Sequence, residues 1–226
     1  LENDTVHTLQ QDHLNPELLF AGTEFSAFFS IDGGKEWVEL KAGLPTIAVR
    51  DMTIQEREND LVLATFGRGF YVIDDYSPLR EIANNRSILD ENAYMFETPE
   101  ALMYIQTGGK YGQGATLYHA SNPDFGAIFT FYLSDIPKTI KQIRKVAEKE
   151  LIKEKKPLPQ PDIEELRKEE NEIDPYLLFT IMDNAGNVVR KITKKPSKGI
   201  MRFNWDLRYD NPYPVSGNNK FNPLAE

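Results

Sequence analysis

The chain has 226 residues, 40% of them hydrophobic and 27% charged, which is enough apolar material for a buried core and excludes global disorder. A formal net charge of −9 argues against nucleic acid or an anionic membrane surface as the main partner, because both need a basic face. Cysteine is absent, so disulfides, thiolate zinc sites and a cysteine nucleophile are excluded, and no apolar run reaches the ~18 residues of a membrane span.

The chain opens on Leu1-Glu2-Asn3 and stops at Leu224-Ala225-Glu226, which reads as a piece of something longer. A missing leader then says nothing about export. The first 80 residues hold a faint repeat, with copies starting at Val6 and Val49, 43 residues apart. Each copy predicts an alternating strand, then a polar turn (14–17 and 58–60). An apolar strand follows (18–21 and 61–64), then a glycine-containing turn and an aromatic strand ending in Ile-Asp (28–32 and 70–74). Short strands repeating every ~40 residues suit β-propeller blades. The alternative is two unrelated meanders in one sandwich. Two blades cannot close a ring, since a propeller needs about 4–8.

Between the copies lies Ser30-Ile31-Asp32-Gly33-Gly34-Lys35-Glu36-Trp37. At a turn between two strands, Asp32 can accept hydrogen bonds from backbone N–H groups and Gly34 can take a positive φ. Trp37 then starts the returning strand and packs its ring beneath the turn. The calcium-loop order D-x-[DN]-x-[DN]-G is absent. The second copy carries Ile73-Asp74-Asp75-Tyr76-Ser77-Pro78 at the equivalent place.

Residues 93–96 and 101–105 predict short strands, and 107–115 form a glycine-rich loop. That loop lacks the G-x-x-x-x-G-K-[ST] order of a phosphate cradle. Strand character returns from Gly126. Residues 138–156 then place Ile140, Ile143, Ala147 and Leu151 at helical spacing, with eight basic residues against three acidic. Prolines end that helix. Asp162 and Glu165 form a capping pair for a second helix, 163–172, and residues 162–174 hold seven acidic residues against two basic. Opposite charges predict an antiparallel hairpin; a basic helix could also bind an acidic partner. Strands follow at 176–182, 187–193 and 200–208, the first two joined by a turn at Asp183-Asn184-Ala185-Gly186-Asn187. With 126–134 they read as an Ig-like sandwich.

Ser30, Asp32, Gly34 and Trp37 fit S-x-D-x-G-x-x-W, which resembles the Asp-box of BNR-repeat β-propellers found in sialidases, some xyloglucan hydrolases and sortilin-type domains. Residues 65–79, 122–133, 183–192 and 203–208 resemble the last blade and following Ig-like module of bacterial sortilin-like, glycosyl-hydrolase-annotated members. The resemblance implies a mainly-β fold. Terminal blades would occupy 1–88, connecting strands and the glycine-rich loop 89–125, and a truncated sandwich 126–226, with a helical insertion at about 137–174. It also implies a secreted or cell-envelope protein, an architectural Asp-box, and no cofactor or metal. The partners would be a glycan or a protein or peptide ligand, together with the remaining blades of a parent chain.

The expected function is non-catalytic protein or glycan binding. The alternatives are a glycoside hydrolase whose carboxylates lie mostly on other blades, or a sortilin-like peptide receptor. Glycosidases need two facing carboxylates about 5–10 Å apart, and no complete catalytic set is legible here. Arg68, Glu24 and Asp51 are the candidate funnel contacts, Arg68 standing between Gly67 and Gly69. The other reading of Arg68 is a turn arginine that binds carbonyl groups. His7, His13 and His119 lack metal-ligand spacing, and Asn3 and Asn85 begin glycosylation-type tripeptides.

Overall fold

The computed structural model describes residues 4–41, 43–104 and 123–210. The expectations for 107–115, His119, Ile105, the Asn3 tripeptide and residues 211–226 lie outside the described residues. Within them the protein is mainly β, built of small antiparallel sheets with three α-helices. Two compact units are separable: one holds residues 4–98, 130–134 and 199–201, the other 99–129, 135–198 and 202–210 among those described. The boundary expected at 88 therefore falls inside the first unit.

The first unit repeats itself. Strands β1 (Val6–Gln11), β2 (Leu19–Thr23), β3 (Ala27–Ser30) and β4 (Val38–Glu39) pair in chain order. Strands β5 (Val49–Gln55), β6 (Asp60–Thr65) and β7 (Phe70–Ile73) do the same in a second sheet. Both sheets carry a bulge at one place in the repeat, around His7 and around Arg50. A bulge adds one residue to one strand and turns its side chain out of the pleat.

The two sheets share one core. Leu18, Phe20 and Ala27 of the first pack with Val49, Met52, Leu61 and Leu63 of the second, and Tyr76 closes the cluster. Each fully buried Leu or Phe contributes about 1.5–3 kcal/mol. Gly22 sets the approach of β5. A Cβ there would lie 2.7 Å from Thr8 Cγ2 and 2.9 Å from the Val49 carbonyl oxygen.

Helix α1 (Ser77–Asn84) was not legible in the sequence. It has only eight residues, and its Asp-Tyr-Ser-Pro entry reads as a turn. Pro78 sits in its first turn, where a fixed φ and a missing N–H cost nothing. Ile82 packs with Ile88, from the 3-10 turn Arg86–Asp90, and with Phe96 in a second cluster. Strand β8 (Ala93–Met95) pairs antiparallel with β9 (Ala127–Leu133) through Ala93 and Leu133. Residues 101–104, expected as strand, have no regular structure: their apolar side chains Leu102 and Met103 stay exposed and no neighbouring strand pairs with them.

The second unit contains α2 (Ile140–Lys153), α3 (Ile163–Asn171), β10 (Leu177–Met182), β11 (Val188–Lys194) and the end of β12 (Gly199–Trp205). Capping boxes start both helices, Thr139 with Gln142 and Asp162 with Glu165. The β10–β11 turn is held by Asp183, whose Oδ1 accepts from the Ala185 and Asn187 N–H groups, with Gly186 at φ +83°. Phe203 lies between Phe129 and Phe179, at 5.1 and 4.2 Å between ring centres. These rings form the apolar contact of the β part of this unit.

Candidate functional site

The sheets of the first unit have two ends of different chemistry. At one end lie the starts of β1 and β5 and the β2–β3 and β6–β7 turns. Backbone bonds tie them together: Glu24 N–H donates to Thr5 O, Ile47 N–H to Phe25 O, and Phe66 N–H to Ala48 O. At this end lie Glu24, Arg50, Asp51 and Arg68, all exposed, and three exposed rings. Phe25, Phe66 and Phe70 keep 54%, 70% and 76% of their surface in water. Arg50 lies over the Phe66 ring at 5.4 Å, a cation–π contact that fixes both groups at modest energetic gain.

Arg68 tops the β6–β7 turn. Gly67 and Gly69 take φ +86° and +72°, and Gly69 O accepts from both Thr65 N–H and Thr65 Oγ1. Gly69 O is thus occupied within the turn itself. Among the described residues Arg68 has no hydrogen-bond or ion-pair partner and is exposed. No hydrogen bond or ion pair joins Glu24, Asp51 and Arg68 to one another within the described residues; Asp51 Oδ1 accepts from Met52 N–H. Two buried polar atoms near the start of β1, Asp4 Oδ1 and His7 Nε2, have no hydrogen-bond partner among the described residues.

The other end carries two saturated polar clusters. At the 30–37 turn, Asp32 is 4% exposed and its Oδ1 accepts from Ser30 Oγ (2.6 Å), Lys35 N–H (2.9 Å) and Glu36 N–H (3.0 Å). Gly34 N–H donates to Ser30 Oγ, and Trp37 Nε1 donates to Gly34 O. Gly33 and Gly34 stand at φ +71° and +92°. The Glu36 N–H and then the Ser30 hydroxyl hold the Asp32 carboxyl below its ordinary range, with Lys35 N–H and Arg86 adding to the effect. Asp32 is an anion whose Oδ1 is engaged by its own turn and whose Oδ2 lies 3.6 Å from Arg86.

The second cluster, centred on Asp12, had no sequence signal beyond a local turn. Asp12 Oδ1 accepts from Tyr76 Oη (2.7 Å) and Arg80 Nη2 (2.6 Å); Oδ2 accepts from Arg80 Nε (2.7 Å) and Asn15 N–H (2.8 Å). Arg80 Nη2 also reaches Asn59 Oδ1 at 2.8 Å, and Asn15 Nδ2 reaches Asn84 Oδ1 at 3.0 Å. Burial pushes the Asp12 carboxyl up, but bonds from Arg80, Tyr76 and Asn15 outweigh it and bring it down to about 2. Burial and the same Asp12 raise the Tyr76 hydroxyl far above its ordinary value. The Asx turn Asp12 to Asn15 could have been read from the sequence. Its partner Arg80, 68 residues away, could not.

Compared with protein-family models, with curated proteins and with solved structures, the chain finds no match. The site is therefore judged on its own geometry. Its buried carboxylates are occupied in turns and pairings, and its accessible cation and rings gather at the opposite end. No group of three or more His, Asp or Glu side chains with metal-holding geometry occurs among the described residues. No helix among them is long and apolar enough to cross a membrane.

Proposed function

We propose that this chain is a non-catalytic binding piece of a secreted or cell-envelope β-propeller protein of the BNR-repeat kind, and that the Arg68 end takes a glycan or protein ligand. In this reading the two repeats are blades and the Asp32 turn is an architectural pin. The second unit is an accessory Ig-like module. The observation that carries the reading is the surface of Phe25, Phe66 and Phe70 around Arg50 and the unpartnered Arg68. Exposed rings supply stacking or apolar contact area, and a free guanidinium supplies paired donors. A binding surface needs both. The buried carboxylates Asp12 and Asp32 are held as anions by structural bonds, the opposite of the raised carboxyl that a glycosidase acid requires.

The test is binding of the chain to neutral and acidic oligosaccharides and to peptide libraries, repeated with Arg68→Ala and with Phe66→Ala. We expect each change to weaken the best ligand by about tenfold or more, the loss of one central contact. An unaffected Arg68→Ala would sink the assignment. Turnover of aryl glycosides or xyloglucan by the chain would replace binding with hydrolysis.

A further inference from the structure

The opposite charges of α2 and α3 predict that the hairpin neutralises itself. The structure does this through one residue. Arg144 forms a two-bond pair with Glu169 (2.6 and 2.8 Å) and also meets Glu148. The N-terminus of α2 is occupied as well, Ile140 N–H donating to Glu172 at 2.7 Å. Lys141 and Lys145 also help to hold the Glu169 carboxyl down, while Lys149 falls about 140° around the helix from Arg144, on the side of Gln142 and Val146. Lys138, Gln142, Lys145, Val146 and Lys149 line a shallow groove of about 320 Å³.

A second groove, of about 460 Å³, begins where that one ends. Gln142 lines both. Its walls are Ile136, Pro137, Pro175, Tyr176 and Pro196, with Lys194 and Lys195 at its rim and a single carboxylate, Asp174. Gln142 is held in place because its Oε1 accepts from the N–H of Thr139 in the capping box. Lys194 is steadied with its ammonium 5.8 Å from the centre of the Phe203 ring. Among the described residues, Lys138, Lys145, Lys149, Lys194 and Lys195 have no ion-pair partner. On a chain of net charge −9, these five lysines, Lys145 among them also acting on Glu169, give a half-apolar trough a local field of the opposite sign.

We propose that this trough binds an extended acidic peptide segment of a partner protein, with aliphatic side chains between its carboxylates. Charge complementarity selects an anion. The floor selects a peptide over a sugar: it offers proline rings, an isoleucine and one tyrosine. Lysines act as point charges that suit scattered carboxylates. Ile140 to Lys149 covers about 14 Å of helix rise, and the second trough extends the surface for an extended segment. The contact is small and charge-led, so it is a weak, salt-sensitive, transient interface.

The test uses the full chain and a fluorescein-labelled peptide of alternating Glu and Leu, about ten residues long, read by anisotropy at about 50 and 300 mM salt. A Lys-Leu peptide and acidic oligosaccharides (hyaluronate, heparin) serve as comparisons. We expect the Glu-Leu peptide alone to bind and to weaken at the higher salt. Lys145→Gln with Lys149→Gln, and separately Lys194→Gln with Lys195→Gln, should each weaken it by about tenfold. All four side chains are solvent-facing, so circular dichroism should be unchanged. Phe66→Ala, at the separate surface of the first unit, should leave this binding intact. Equal affinity in the lysine variants, no binding at millimolar peptide, or preference for the oligosaccharides would each overturn the proposal.

Discussion

Asp12 is the position where a single change tests most of the reasoning about the first unit. Its side chain is fully enclosed, and Arg80 beside it is only 11% exposed. Asp12→Ala would leave a nearly buried guanidinium and the Tyr76 hydroxyl without their acceptor. Removing one partner of a buried ion pair costs about 3–5 kcal/mol. Domain stabilities run about 5–15 kcal/mol, so the variant should lose a large share of the total. With a urea slope of about 2 kcal/mol per molar, the midpoint should fall by about 1.5–2.5 M. Trp37 reports on this unit once Trp205, in the other, is replaced by Phe. The paired variant Asp12→Leu with Arg80→Met removes both charges and should lose less than Asp12→Ala. A loss under about 1 kcal/mol for Asp12→Ala, or a paired variant equal to the sum of its single changes, would refute the reasoning.

Acid should act through the same carboxyl. Its folded value of about 2 lies below the ordinary 3.8, so its contribution is present above about pH 4 and is lost as pH falls toward 2. The gap corresponds to about 2 kcal/mol. Urea midpoints measured from pH 5 to 2 should show this slope in the native chain and a shallower one in Asp12→Asn. Gly22→Ala should cost about 1–3 kcal/mol, because its Cβ meets the Val49 backbone and the sheets must part. An unchanged thermal midpoint would show that β5 can shift freely. Ser30→Ala removes a hydroxyl that both donates to Asp32 and accepts from Gly34, and should cost about 1 kcal/mol with a change in Trp37 emission.

The local elements were legible because they rest on short-range chemistry. The 43-residue repeat, the polar turns and the alternating strands predict the two small sheets. Their observed bounds differ from the expected ones by a residue or two at the ends. The Asp162–Glu165 cap and the Asp183–Asn187 turn are likewise bonds between near neighbours. Strand 101–105 failed for the complementary reason. An apolar run is a strand only if another strand accepts its hydrogen bonds, and residues 101–104 have none. Helix α1 escaped because its eight residues draw their stability from Ile82 packing on Ile88 and Phe96, not from propensity.

The sequence by itself determined which residues could turn, alternate, cap a helix or carry charge. It placed Asp32 in a turn, Arg68 between two glycines and eight cations in and around one helix. Tertiary structure decided which of these groups are used up. It closed Asp12 on Arg80 across 68 residues. It left Arg68 and the rings of Phe25, Phe66 and Phe70 facing water, and gave Arg144 its two-bond pairing with Glu169. Whether a charge or a ring is satisfied depends on distant atoms brought within about 3–5 Å, and sequence spacing carries no such distances.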